Sequence, residues 1–166
     1  MSRDQVELEE FKKAALRCPL PPAVDVIGEK WAFLILRGAM NHLKHFEQFQ
    51  EGLGIARNIL SDRLKKLVDN GILERASDPR DKRKIVYSLT EKGDALLPVV
   101  VALRQWGEEW ASDKPTVRLA DERDGEPIRR IRVTAHDGRP LERRELMWVR
   151  KDTGETLTAA RAIGGK

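Results

Sequence analysis

His45-Phe46-Glu47-Gln48-Phe49-Gln50-Glu51-Gly52-Leu53 opens the stretch that decides the fold, which runs on to Leu89. Phe46, Phe49 and Leu53 recur at helical spacing and give this first segment one apolar edge. Gly52 and Gly54 flank its end, where positive φ costs glycine little. From Ile55 the chain reads IARNILSDRLKKLVDNG, with Leu60, Leu64 and Leu67 at i, i+4 and i+7. The opposite face carries Asn58, Ser61, Asp62, Lys65 and Asp69, with Arg57 and Arg63 on the flanks, and Asn70-Gly71 punctuates the end. Ile72–Ala76 and Lys84–Leu89 then read as two strands. They are joined by SDPRDKR, where Asp78-Pro79 starts a turn and the tip gathers Arg80, Lys82, Arg83 and Lys84.

Two helices joined by a tight turn and followed by a charged hairpin make an α+β winged helix-turn-helix. Working outward, residues 4–17 place Leu8, Phe11 and Ala15 on one helical face. Cys18-Pro19-Leu20-Pro21-Pro22 stops that helix, and Pro22 fits the first turn of a short one through Ile27. Lys30–Met40 is apolar nearly all round, as a helix inside a bundle must be. Thr90 suits the N-cap of a long helix from Glu91 to Ser112, with Leu96, Val100, Leu103 and Trp110 on one face and Trp106 beside it. Pro98 is expected to bend it. After Pro115, two Asp-Gly turn signals flank the alternating IRRIRVT, which predicts a small β-meander. The expected organisation is a helical body over 1–113, a β-rich extension over 114–153 and a flexible tail over 154–166, with no internal repeat.

Composition bounds the function. The 166 residues are 40% hydrophobic and 35% charged, with a net charge of +4, enough for a packed core under a well-solvated surface. A pI near 9.3 permits a polyanionic partner, and the local placement of cations matters more than their sum. No stretch approaches the roughly 20 apolar residues of a membrane span. The N-terminus MSRDQVELEE is unlike a secretory leader, and the one cysteine, Cys18, cannot form an internal disulfide, so a cytoplasmic location is expected. His42, His45 and His136 have no metal-ligand spacing, and no nucleophile–base pair or phosphate loop stands out. Neither cofactor, metal nor enzymatic activity is expected.

A helix that reads duplex DNA needs an apolar underside and side chains that match base edges above it. Arg pairs two acceptors on guanine and Asn pairs adenine bidentately. Arg57 and Asn58 in the first turn, with Ser61 and Asp62 beyond, are the candidates for that reading. Arg63, Lys65, Lys66 and the hairpin cations Arg80, Lys82, Arg83 and Lys84 are candidates for phosphate contacts. Each such contact releases counterions and makes affinity fall with salt. The competing interpretation is a protein-binding winged helix without DNA, which apolar residues in place of Asn58, Ser61 and Lys65 would have favoured.

The chain also resembles the HxlR-type winged helix-turn-helix regulators of bacteria. The resemblance is carried by Cys18-Pro19, Val26-Ile27-Gly28-Glu29-Lys30-Trp31, Leu34-Ile35-Leu36-Arg37 and His45-Phe46-Glu47-Gln48-Phe49. It continues through Gly54-Ile55, Leu60-Ser61-Asp62-Arg63-Leu64, Gly71-Ile72-Leu73-Glu74-Arg75 and Tyr87-Ser88-Leu89-Thr90-Glu91-Lys92-Gly93. It implies a transcriptional regulator that binds a two-fold operator as a homodimer through its terminal helices, here with Leu8, Phe11, Leu103, Trp106 and Trp110 as contacts. It also places Cys18 where some members sense oxidants or electrophiles, against the plainer reading of a buried, inert thiol. A small-molecule effector received by the extension is a further alternative. The chain departs from the family in having Glu29 where a second glycine is common, and in carrying no cysteines in its extension.

Overall fold

The computed structural model describes Gln5, Leu8, Glu9, Phe11, Lys12, Ala15 and residues 17–156. The described residues among 5–15 are α-helical, while the rest of the helix expected over 4–17, and most of the tail expected from 154, lie outside the described residues. The chain divides into two compact units, one spanning Pro22–Ile131 and the other drawing on the residues up to Pro21 and from Arg132 onward.

The helical body follows the apolar pattern. Helix α1 (Leu20–Ile27) leads to α2 (Lys30–Met40), α3 (Phe46–Leu53) and α4 (Arg57–Asp69). Strands β1 (Leu73–Ser77) and β2 (Ile85–Leu89) pair antiparallel, Leu73 opposite Leu89 and Ser77 opposite Ile85. Ile35, Leu36, Phe49, Leu60, Leu64, Leu67 and Leu73 are fully buried and form one cluster with Ile27, Ala32, Ile55 and Ile72. Burying each such side chain contributes roughly 1.5–3 kcal/mol, so the leucine stripe of α4 is a firm anchor. Gly38 lets α3 close on α2, since a Cβ there would stand 3.1 Å from the Phe49 ring.

The ends of the central helices are set by local chemistry. The Gln48 side-chain oxygen accepts from the backbone N–H groups of Lys44 and His45, at 2.8 and 2.9 Å, closing the start of α3. Gly54 ends α3 in the left-handed region at φ 61°, and the Ile55 N–H reaches back to the Gln50 carbonyl. This makes the tight turn into α4. At the far end Gly71 takes φ 65° and the Ile72 N–H donates to the Leu67 carbonyl, turning the chain into β1.

The helix expected from Glu91 to Ser112 is two helices, α5 (Glu91–Asp94) and α6 (Leu97–Trp110). Thr90 caps the first, its hydroxyl accepting from the Gly93 N–H at 3.1 Å. Pro98 accounts for the break: it has no N–H to give, and its ring would crowd the carbonyl four residues back, that of Asp94. It sits instead in the first turn of α6, where its fixed φ is suited. Leu96 and Val100 pack against the core and Val101 is buried, while Leu103, Trp106 and Trp110 are exposed.

Beyond Pro115 the pairing takes the form of isolated antiparallel bridges rather than continuous strands: Ala120 with Pro127, Thr134 with Pro140 and Val149 with Thr156. Each closes a tight turn containing a glycine at positive φ: Gly125, Gly138 and Gly154. Their sequences, ADERDGEP, TAHDGRP and VRKDTGET, share this design, a repetition that uneven spacing conceals. Segment 114–131 belongs to the same compact unit as helices α2–α6. Side chains of α6 hold it there: Arg104 donates to the Val117 carbonyl, Gln105 bonds the Arg129 carbonyl and the Ile131 N–H, and Glu109 pairs with Arg130.

Candidate nucleic-acid interface

Helix α4 is fixed from below and open above. With Leu60, Leu64 and Leu67 at most 1% exposed, its orientation is determined by the core. Asn58, Ser61, Asp62 and Lys65 are exposed on the other side. Among the described residues, the side chains of Asn58, Ser61 and Asp62 have no hydrogen-bond or ionic partner within the chain. Lys65 pairs with Asp69 one turn on, at 2.5 Å, which raises its pKa and keeps the ammonium charged. Arg57 places its guanidinium 4.8 Å from the centre of the Phe46 ring, at the start of α3. That cation–π contact pre-orients a long side chain.

The two remaining cations of α4 are engaged elsewhere. Arg63 pairs with Glu29 at 2.6 Å and Lys66 with the same carboxylate at 3.0 Å. Hydrogen bonding from Lys66, then the nearby charge of Arg63, holds the Glu29 carboxyl below its ordinary range. Arg63 and Lys66 therefore stand apart from the open cations with which the sequence grouped them.

The hairpin presents Arg80, Lys82, Arg83 and Lys84, all exposed. Its loop is ordered by its own aspartates: Asp78 accepts from the Arg80 N–H at 2.7 Å, and Asp81 accepts from the Arg83 N–H and guanidinium at 3.2 and 3.1 Å. The Arg83 guanidinium keeps the Asp81 carboxyl below its usual range. His45 ties both ends of this loop to the start of α3. Its Nδ1 donates to the Ile85 carbonyl at 3.0 Å, and its Nε2 faces the Asp78 carboxylate at 3.5 Å. The Tyr87 N–H donates to the Lys44 carbonyl at 2.8 Å, so the same short segment also pairs with β2. Helix-turn-helix and wing are thus joined through Lys44 and His45.

The HxlR-like helix-turn-helix family matches residues 26–115, more than half of the sequence. The chain belongs to that family. It is 34% identical over 126 residues to an uncharacterised HTH-type transcriptional regulator of Mycobacterium tuberculosis, covering 75% of this chain and 80% of that protein. Its identity to YodB, an HTH-type transcriptional regulator of Bacillus subtilis, is also 34%, over 60% of this chain and 91% of that one. The crystal structure of PA1607, a candidate transcription factor, is similar with a TM-score of 0.77 at 41% identity, over 81% of this chain and 95% of that chain. The protein is a transcriptional regulator built on a DNA-binding helix-turn-helix, in a winged α+β fold.

The family's matched span runs from the end of α1 to just past α6, so Cys18 and the turns beyond residue 115 lie outside it. Cys18 is half-buried, and its N–H donates to the Ala15 carbonyl. Of the expected dimer contacts, Leu8 and Phe11 are exposed in the first segment, and Leu103, Trp106 and Trp110 are exposed on α6, Trp110 at 69%. No cluster of potential metal ligands occurs among the described residues, and none of their helices is long and apolar enough to cross a membrane. Sequence reading missed Glu29 and His45 as parts of the site. Glu29 gives no local signal, since its partners lie 34 and 37 residues away. His45 could have been noticed as the residue before a helix facing a hairpin.

Proposed function

We propose that this regulator acts as a homodimer on a pseudo-palindromic operator, reading bases with the outward side of α4. Asn58, Ser61 and Asp62, unengaged above a fully buried leucine stripe, carry this reading. Arg57 joins them from the first turn. Lys65 and the wing cations Arg80, Lys82, Arg83 and Lys84 neutralise phosphates, which fix position without specifying sequence. A protein-binding module would present apolar side chains here, and the observed polar face favours the duplex. The exposed α6 residues Leu103, Trp106 and Trp110, with Leu8 and Phe11, form the contact between subunits.

Signal input is proposed at Cys18. The structure of YodB is known in a reduced form, and that of HypR, described as a redox regulator, in an oxidised one; they resemble this chain at TM-scores of 0.51 and 0.52. With one cysteine per chain, an oxidant or electrophile would act by forming an adduct or a disulfide between subunits.

The test is a comparison of duplexes selected from a random pool with unrelated sequence. Asn58→Ala is expected to cost about 1–3 kcal/mol on the selected duplex and little on the other, whereas Arg83→Ala weakens both alike and reduces the salt slope by about 1. Equal losses from both variants on both duplexes would remove the base-reading assignment.

A further inference from the structure

Among the described residues, Glu29 is the one acidic side chain that holds two cations of α4 at once. It stands just before α2, and its two carboxylate oxygens go separately to Arg63 (2.6 Å) and Lys66 (3.0 Å). All three side chains are partly shielded, at 28%, 35% and 39% exposure. The Arg63 Nε is buried with no hydrogen-bond partner, so this guanidinium lies against the protein rather than out in solvent. These are cations on the flank of a helix whose outward side is otherwise open. Left unpaired, they would be ready phosphate contacts on any duplex.

We propose that Glu29 is a specificity-determining residue: by occupying Arg63 and Lys66 it withholds two cations from the phosphate backbone and keeps affinity for unrelated DNA low. The proposal rests on the reading that α4 enters duplex DNA. Phosphate contacts strengthen binding to every sequence, so each added cation raises non-specific affinity without improving discrimination. Glu29 reduces that sequence-blind component while leaving Asn58, Ser61 and Asp62 untouched. The same clasp fastens α4 to the start of α2, which holds the reading helix at a fixed angle.

The experiment is a salt series, with the full chain binding a selected duplex and a random one. Glu29→Gln keeps the size but removes the charge and replaces one of the two accepting oxygens with a donor, so at least one of the two cations loses its partner. It is expected to raise affinity for the random duplex severalfold and to steepen its log-affinity against log-salt slope by roughly 1–2, the amount expected for one or two freed cations. Discrimination between the duplexes should fall accordingly. Lys66→Gln supplies an independent measurement that does not depend on the folding of the first variant. In the wild-type background it should leave the slope unchanged, because Lys66 is already spoken for, and in the Glu29→Gln background it should lower the slope by roughly 0.9. An unchanged slope in Glu29→Gln, or a lowered one in Lys66→Gln alone, overturns the proposal while leaving DNA binding by α4 intact. Failure of the wild-type chain to bind any duplex would instead overturn the DNA reading and this inference with it.

Discussion

Glu29 shows what a single side chain does in this molecule and why a sequence cannot announce it. Its standing where the family commonly has a glycine is legible, but its pairing with two cations exists only because the core sets α4 against the start of α2. The same contact makes stability depend on pH. The folded-state carboxyl is held below its ordinary value, chiefly by the Lys66 hydrogen bond and then by Arg63. A carboxylate so depressed adds stability above the unfolded-state value, near 4.5, and loses it as pH falls through the folded one. Asp81, held down by Arg83, follows the same sign. Denaturant unfolding measured from pH 7 downward should therefore show stability falling in acid, and Glu29→Gln should show a shallower fall. Parallel curves for the two proteins would mean that the pair contributes nothing in solution.

The elements themselves were largely legible. The leucine stripe and the glycines at its ends defined α4, because apolar periodicity and left-handed turns leave direct marks in a sequence. Strand boundaries were off by a residue, since a hairpin's ends are set by pairing rather than by composition. Between α5 and α6 the sequence predicts a bend where the helix stops and restarts, because Pro98 signals a disturbance of the helix but does not by itself choose between a kink and a break. The extension was harder still: its bridges are single contacts around Asp and Gly turns, and alternation in IRRIRVT builds no ladder. The joint between wing and helices was invisible because it depends on His45 meeting residues some 40 positions away. His45→Ala removes both ring contacts and should cost about 0.5–1.5 kcal/mol of stability. Its more telling effect should appear in amide exchange. The Asp78 and Lys84 amides, within the loop, should exchange faster, while the Tyr87 amide, held by Lys44, remains protected. Uniform exchange changes, or none, would mean that His45 does not hold the wing.

At the scale of the whole molecule, a buried leucine face orients a polar one, and a histidine-anchored hairpin carries the cationic tip. The α6 tryptophans belong to this scale too, since Trp106 and Trp110 remain exposed within one chain. A dimer that covers them should be disrupted by Trp106→Glu, seen as a halved mass in sedimentation and weaker binding to a duplex carrying both half-sites. An unchanged mass would place the subunit contact elsewhere. The placement of α4 on DNA can be tested without any substitution, by photocrosslinking the full chain to a selected duplex containing iodouracil and mapping the joined peptides. Adducts are expected within Arg57–Lys65 from the groove positions and within Arg80–Lys84 from the flanks. Adducts confined to α6 or to residues beyond Pro115, with none on α4, would contradict the central claim.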